Sequence, residues 1–254
     1  MTLRVDLNAD MGESFGPWPM GNDAEVLKVV TSANVACGFH GGDPTVMART
    51  IALAKENGVG VGAHPGFPDL QGFGRRQMQM AREDLQNAIR YQFSAIRGMA
   101  AVQGVPVRHF KLHGALSNMC AVDEDMARAC YEAALSVDPE VIIYVQASTA
   151  QEPVVQALGA NYAGEIFADR AYNDDATLVD RRLPGAVIHD PEKAAARMVE
   201  MVKAGAIISE QGKVIPSRVD TICLHGDTDT AVQIARAVRA ALQAEGVQLA
   251  SVGR

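Results

Sequence analysis

No stretch of this 254-residue chain approaches the roughly 18 consecutive apolar residues that a membrane span requires. Its opening, MTLRVDLNAD, lacks the basic segment and apolar run of an export signal. Together these absences give the expectation of a cytosolic chain. No Lys/Arg block occurs, and the formal net charge is -7. Such a chain is a poor nucleic-acid binder. Cysteine is scarce, and the four residues, Cys37, Cys120, Cys130 and Cys223, form no CxxC pair. A zinc knuckle or thioredoxin-like site is therefore unsupported. Cys37 and Cys223 lie in apolar strand contexts and read as buried, inert thiols. Neither GxxxxGK[ST] nor GxGxxG is present, so no nucleotide loop of known pattern exists in this chain. GxSxG and HExxH are absent as well. The remaining carriers of chemistry are His, Asp, Glu and Lys, in a hydrolytic or acid–base role.

What is present is alternation. Short apolar runs near 3–8, 32–36, 59–64, 107–112, 141–146, 162–167 and 219–225 read as strands, and helical patterns follow them. Asp43-Pro44 and Asp190-Pro191 each combine an N-cap with proline at the first helical position. These pairs open helices that close at Asn57-Gly58 and Gly205. A helix over about 82–103 carries Leu85, Ile89, Phe93, Ile96 and Ala100 on one stripe. Another begins near Asp123, one runs to about 158, and Asp227 reads as the cap of the last, which ends before Gly246. No composition break divides the chain, and one domain over 1–254 is expected. Alternating strands and helices predict a parallel sheet with right-handed crossovers. With about seven strands, and VQLASV as a candidate eighth, the fold class is α/β, a single TIM-like (β/α) barrel. An open doubly wound sheet is the rival, but it would gather its site at one switch point.

Polar side chains recur at the strand ends: Asn8, Asp10 and Glu13 after the first, Asn34 and His40 around the second, and His64 at the third. Lys111 and His113 follow at the fourth, Glu165, Asp169 and Arg170 at the sixth, and His225 and Asp227 at the seventh. In a βα barrel that rim is the face where catalysis occurs. Five of the six histidines, His109 included, fall at or near it. Lys111 and His113, spaced i, i+2, share a face of their strand. A lysine inside a barrel needs an anionic partner. A substrate carboxylate or phosphate and an internal Asp or Glu are equally good candidates. Asp43 is accounted for by capping. The connections 9–23, 65–81 and 168–189 exceed ordinary βα turns and read as binding loops or lids. Arg181 and Arg182, in the last of them, are explicable as surface ion pairs.

The segments VDLNADMGESFG, SANVACGFHGGDP, AHPGFPDLQGFGRR, KLHGAL, EIFADRAYNDDATLVDRR and CLHGDT, in this order, resemble the LamB/YcsF family over nearly the whole length. The resemblance implies a barrel of about seven strands related to the glycoside hydrolase/deacetylase barrels. It also implies a hydrolase that opens the lactam of 5-oxo-L-proline to L-glutamate. ATP would be consumed through two partner subunits that activate the lactam. On this reading Asp10, His64, Lys111 and His113 are catalytic, and Asn8, Glu13, Asn34, His40, Glu165, Arg170 and His225 bind or orient substrate. The chain departs from the family at Leu112, Ser117, Gly66, Phe67 and Ala176, the last where glycine is usual; the charged set is intact. Two enzymatic alternatives are an amidohydrolase of another lactam or amide and a stand-alone metal-dependent carbohydrate deacetylase. A regulatory, non-catalytic subunit is a third. Deacetylases of related fold bind metal through an aspartate where this chain has Met11, whose thioether cannot replace a hard oxygen ligand. No metal ligand is assigned on sequence, although His64 with Glu13 would be the pair to hold a divalent ion.

Overall fold

The computed structural model describes residues 3–224 and 230–253. The expectations placed on His225 and Asp227 lie outside the described residues. Seven parallel strands close into a barrel: β1 (Arg4–Met11), β2 (Ser32–Ala36), β3 (Gly60–His64), β4 (Val107–Lys111), β5 (Ile142–Gln146), β6 (Tyr162–Phe167) and β9 (Thr221–Leu224). The β1–β9 pairing completes the ring, with Asp6 opposite Thr221 and Ala9 opposite Leu224. A hairpin that sequence periodicity did not reveal, β7 (Ala206–Ile208) with β8 (Val214–Pro216), precedes β9. Its strands are three residues long, too short to carry a period. The candidate eighth strand is β10 (Gln248–Leu249), which pairs beside β1 without entering the closed ring.

The helices that matter for the site are α2 (Pro44–Glu56), α3 (Arg82–Val102), α4 (Gly114–Cys120), α5 (Glu124–Val137) and α7 (Pro191–Ala204). The others are α1 (Asp23–Val26), α6 (Gln151–Ala157) and α8 (Ala231–Ala244). The capping signals have their physical counterparts. Asp43 accepts from the backbone N–H groups of Thr45 and Val46, and Asp190 accepts from those of Glu192 and Lys193. Gly205 adopts the left-handed conformation, φ 57, that ends α7. Leu85, Ile89, Phe93, Ile96 and Ala100 of α3 are all buried against the barrel. Helix α4 escaped the sequence pattern because its seven residues make only two turns.

Barrel strands bury both faces, and here the two faces differ. On β1, Val5, Leu7, Ala9 and Met11 belong to the hydrophobic core, whereas the alternating Asp6, Asn8 and Asp10 are buried polar groups. Branched aliphatic residues usually fill such an interior. This one is layered with hydrogen-bonded polar side chains, which are tolerable when buried only if their partners are present. In the lowest layer the Asp6 carboxylate accepts from the hydroxyls of Ser32, Tyr144 and Thr221 at 2.8, 2.9 and 2.6 Å. Burial raises the Asp6 pKa, and those hydroxyl groups oppose the rise. In the middle layer Asn34 donates to Asn8 and Asp10, and its oxygen accepts from His109 Nε2 at 2.7 Å. The interior is therefore polar from its lowest layer up to the C-terminal rim.

Candidate active site at the barrel rim

His64 and Lys111 end their strands and Asp10 and Glu165 lie within the last three residues of theirs, and all four converge inside the barrel. The Lys111 ammonium lies 2.9 Å from Asp10 Oδ1 and 2.9 Å from Glu165 Oε1. It also reaches Cys223 Sγ at 3.0 Å and Asn8 Oδ1 at 3.3 Å. Of the two partners left open for this lysine, the internal carboxylates are the ones in contact. Burial opposes its charge, but Asp10, Cys223 and Glu165 outweigh that cost and hold the pKa well above the ordinary lysine value. Burial raises the Glu165 carboxyl, against the pull of Lys111. Cys223 is buried in the core cluster as expected, and its Sγ also faces the Lys111 ammonium.

Above this pair stands a histidine group. His64 Nδ1 faces the Lys111 carbonyl oxygen at 2.9 Å, and His64 Nε2 lies 3.2 Å from Asp10 Oδ2. His113, the N-cap of α4, sets Nε2 against the Phe73 carbonyl at 2.8 Å and Nδ1 against His64 Nε2 at 3.1 Å. His40 stacks on His113 with ring centroids 3.6 Å apart and planes 5° from parallel. Its Nε2 lies 3.4 Å from Glu13 Oε1. Burial is the main cause that lowers the His40 and His113 pKa values well below the histidine norm, so both rings are neutral near pH 7. Ligand atoms of Glu13, His40, His64 and His113 all fall within 4.8 Å of one another, a grouping able to hold a metal ion.

Local backbone explains why these rings meet. Phe73 has φ 53, a left-handed conformation uncommon for a residue with a side chain, and its carbonyl thereby meets His113. The His113 N–H donates to the Pro65 carbonyl at 2.9 Å, and the Ala115 N–H donates to that of Gly74 at 2.9 Å. Gln92 on α3 clamps the same loop: its oxygen accepts from the Gly66 N–H at 3.0 Å and its amide donates to the Gly66 carbonyl at 2.9 Å.

The group floors a cavity of about 970 Å³ whose wall includes Asp10, Glu13, His64, Lys111, His113 and Arg170. Asn8, Asn34, His40 and Glu165 lie beneath it, buried, and act on it through these neighbours. Asp169 is buried beside Arg170. Arg75, Arg76, Arg181 and Arg182 also line the cavity, giving its mouth a positive face. Surface ion pairs are the sequence expectation for Arg181 and Arg182, and no motif marks Arg75 or Arg76. Arg182 does pair with Asp180 at 2.5 Å, and Arg76 pairs with Asp69. Their position on the loops 65–81 and 168–189, already marked as long, was the usable signal. Arg170 donates to the Val179 carbonyl at 2.7 Å, and burial lowers its pKa to about 10, leaving it cationic. Ala176 holds a left-handed turn, φ 67, at the site where the resembled family usually carries glycine.

A closed parallel barrel with acid–base residues gathered at its C-terminal rim defines a βα-barrel of hydrolase type. The pattern of the LamB/YcsF family matches residues 5–254, and the chain belongs to that family. It is 67% identical, over 251 residues and 99% of each chain, to a protein from Ruegeria pomeroyi named as a subunit of 5-oxoprolinase. A solved structure titled lactam utilization protein, from Thermus thermophilus, superposes with a TM-score of 0.92 at 42% identity, covering 98% of this chain and 99% of that one. The catalytic domain of a peptidoglycan N-acetylglucosamine deacetylase from Eubacterium rectale shares the fold, with a TM-score of 0.55 at 12% identity over 99% of this chain and 89% of that one. Among the described residues no helix is long and apolar enough to cross a membrane.

Proposed function

We propose that this chain hydrolyses a cyclic amide, opening the 5-oxo-L-proline lactam to L-glutamate. We read it as a one-domain cytosolic subunit that works with two partner subunits, which consume ATP to activate the lactam. The naming of its relatives as one subunit of an enzyme supports dependence on partners.

The observation that carries this reading is the contact of His64 Nε2 with Asp10 Oδ2 at 3.2 Å, on the floor of the cavity and beside Lys111. Amide hydrolysis needs a base for water, a positive or hydrogen-bonding group for the developing oxyanion, and a proton for the leaving nitrogen. Asp10 takes the water proton. Lys111 pairs with Asp10 and positions it, and its own charge is met by two carboxylates, so binding of the substrate carboxylate or phosphoryl group falls to Arg170 and the arginines of the mouth. His64 and His113 stabilise the oxyanion and pass the proton to nitrogen. Asn8, Glu13, Asn34, His40 and Glu165 orient this set.

Reconstitution with the partner subunits tests it. Asp10→Asn and, separately, Lys111→Met should each reduce ATP-coupled lactam cleavage at least a hundredfold. Turnover within about tenfold of wild type would reject the assignments. Cleavage of acetyl groups from acetylated sugars by the isolated chain would favour a stand-alone deacetylase instead.

A further inference from the structure

The histidine group sets two ring nitrogens that present lone pairs against each other. A carbonyl oxygen only accepts hydrogen bonds. His64 Nδ1 faces the Lys111 carbonyl, so that nitrogen carries the hydrogen and Nε2 presents a lone pair. His113 Nε2 faces the Phe73 carbonyl, so in the neutral ring Nδ1 presents the other lone pair. These two lone-pair nitrogens stand 3.1 Å apart. Glu13 Oε1 faces the same space, 3.7 Å from His113 Nδ1 and 3.4 Å from His40 Nε2. His40 is fully buried, and neither of its ring nitrogens has a hydrogen-bond partner among the described residues. Electron-rich atoms of three side chains, Glu13, His64 and His113, thus point at one another on the cavity floor with His40 beside them, an arrangement that costs free energy unless a proton or a cation lies among them.

We propose that Glu13, His40, His64 and His113 form a binding site for one divalent first-row transition ion of the zinc class. Three imidazoles and one carboxylate are a borderline-soft donor set that suits such an ion and disfavours magnesium or calcium, which prefer all-oxygen shells. A tetrahedral zinc with ligands at about 2.1 Å separates them by about 3.4 Å; three of the six separations, 3.1, 3.4 and 3.7 Å, bracket that edge, and all four ligand atoms lie within 4.8 Å of one another. The Lys111 and Phe73 carbonyls act as the outer partners that fix which nitrogen of each ring faces inward. A proton on His64 is the rival occupant. It relieves one contact, toward either His113 or Asp10, and leaves the other in place. Met11 is not needed, because Glu13, two residues on, supplies the carboxylate. The ion would sit in the cavity floor, since Glu13, His64 and His113 all line it. There it would supply Lewis-acid polarisation of a bound carbonyl; the imidazoles, as ligands, would give up both their oxyanion and proton-transfer roles, and Asp10 would take the water proton and hand it to the leaving nitrogen.

This inference goes beyond the lactam assignment, and its test reads metal rather than turnover. The full chain is stripped with a chelator and equilibrated with Zn²⁺ alone. Atomic emission after gel filtration should find one ion per chain. Glu13→Gln and His40→Asn should each bind at least tenfold more weakly while melting like the stripped wild type. Anomalous diffraction at the zinc edge from wild-type crystals locates the ion without any variant. Density among these four residues supports the site. Failure of wild type to retain zinc, or density anywhere else, overturns it. Variants that fold and retain zinc as wild type does would overturn it equally.

Discussion

The Cβ atom that Gly62 lacks would fall inside the van der Waals envelope of the His109 ring. The two residues are partners in register on β3 and β4, and the imidazole occupies the volume of the missing side chain. That position lets His109 stack on Tyr144 at 4.3 Å and hold the Asn34 oxygen, which in turn aims the Asn34 amide at Asp10. Gly62→Ala should therefore destabilise the fold by on the order of 3 kcal/mol, an overpacking cost, measured by urea unfolding. Gly62→Ala combined with His109→Ala should recover much of that loss. Strict additivity of the two changes would show that the contact is not the cause.

Burial, with a further push from Lys111, lowers the His109 pKa to about 3. The fold thus favours the neutral ring, whereas the unfolded chain titrates near its ordinary value of about 6.5. A depressed base contributes stability that is complete above the unfolded value. That stability is lost as pH falls from there toward the folded value, at about 1.4 kcal/mol per pH unit. Asp6 and Glu165, whose carboxyls are raised by burial, act with the opposite sign. The comparison that isolates the histidine is wild type against His109→Gln between pH 6 and pH 4. The variant should lose stability less steeply, by about one such increment per unit; parallel curves would reject the assignment.

The barrel was legible because its signals are local. Asp43-Pro44 and Asp190-Pro191 announce helix starts, and the α3 stripe announces a buried face. The recurrence of Asp10, His64 and Lys111 at strand ends announced the rim. What sequence could not supply was who meets whom across the barrel. Lys111 had two equally good partners until Asp10 and Glu165 were seen on either side of it. His109 read as one more rim histidine, yet it is a middle-layer residue, because its strand position points it inward two residues before Lys111. His40 belongs to a loop beyond β2, and only the folding of 65–81 over it creates the stack with His113. Gln92 sat unnoticed on the apolar stripe of α3, since a single glutamine there carries no motif.

The Lys111 ammonium is enclosed by Asp10 and Glu165 with almost no exposure to solvent. Removing one member of such a set leaves the others charged and unpaired, which costs more than the intact set contributes. Lys111→Met should cost about 3 to 5 kcal/mol and abolish turnover. Adding Glu165→Gln to that variant removes one stranded carboxylate and should restore part of the stability without restoring activity. Thermal melts and the coupled assay separate the two outcomes. Equal stability of the single and double variants would show that Glu165 is not paired with Lys111 in solution.

Gln92 offers the most selective way to disturb the site from a distance. It touches no reacting group, but it satisfies both the N–H and the carbonyl of buried Gly66 at the start of the loop 65–81. That loop supplies the Pro65, Phe73 and Gly74 carbonyls that fix His113 and the first turn of α4. Gln92→Leu keeps the volume but strands two backbone groups, a loss of about 1 to 3 kcal/mol for each group left unpaired. Amide hydrogen exchange over residues 66–76 should accelerate well before the barrel strands respond. Turnover should fall through kcat, with KM little changed, because the arginines of the mouth still bind substrate while His113 loses its fixed orientation. Exchange that accelerates uniformly over the whole barrel would mean that the glutamine serves global stability and does not position the histidine.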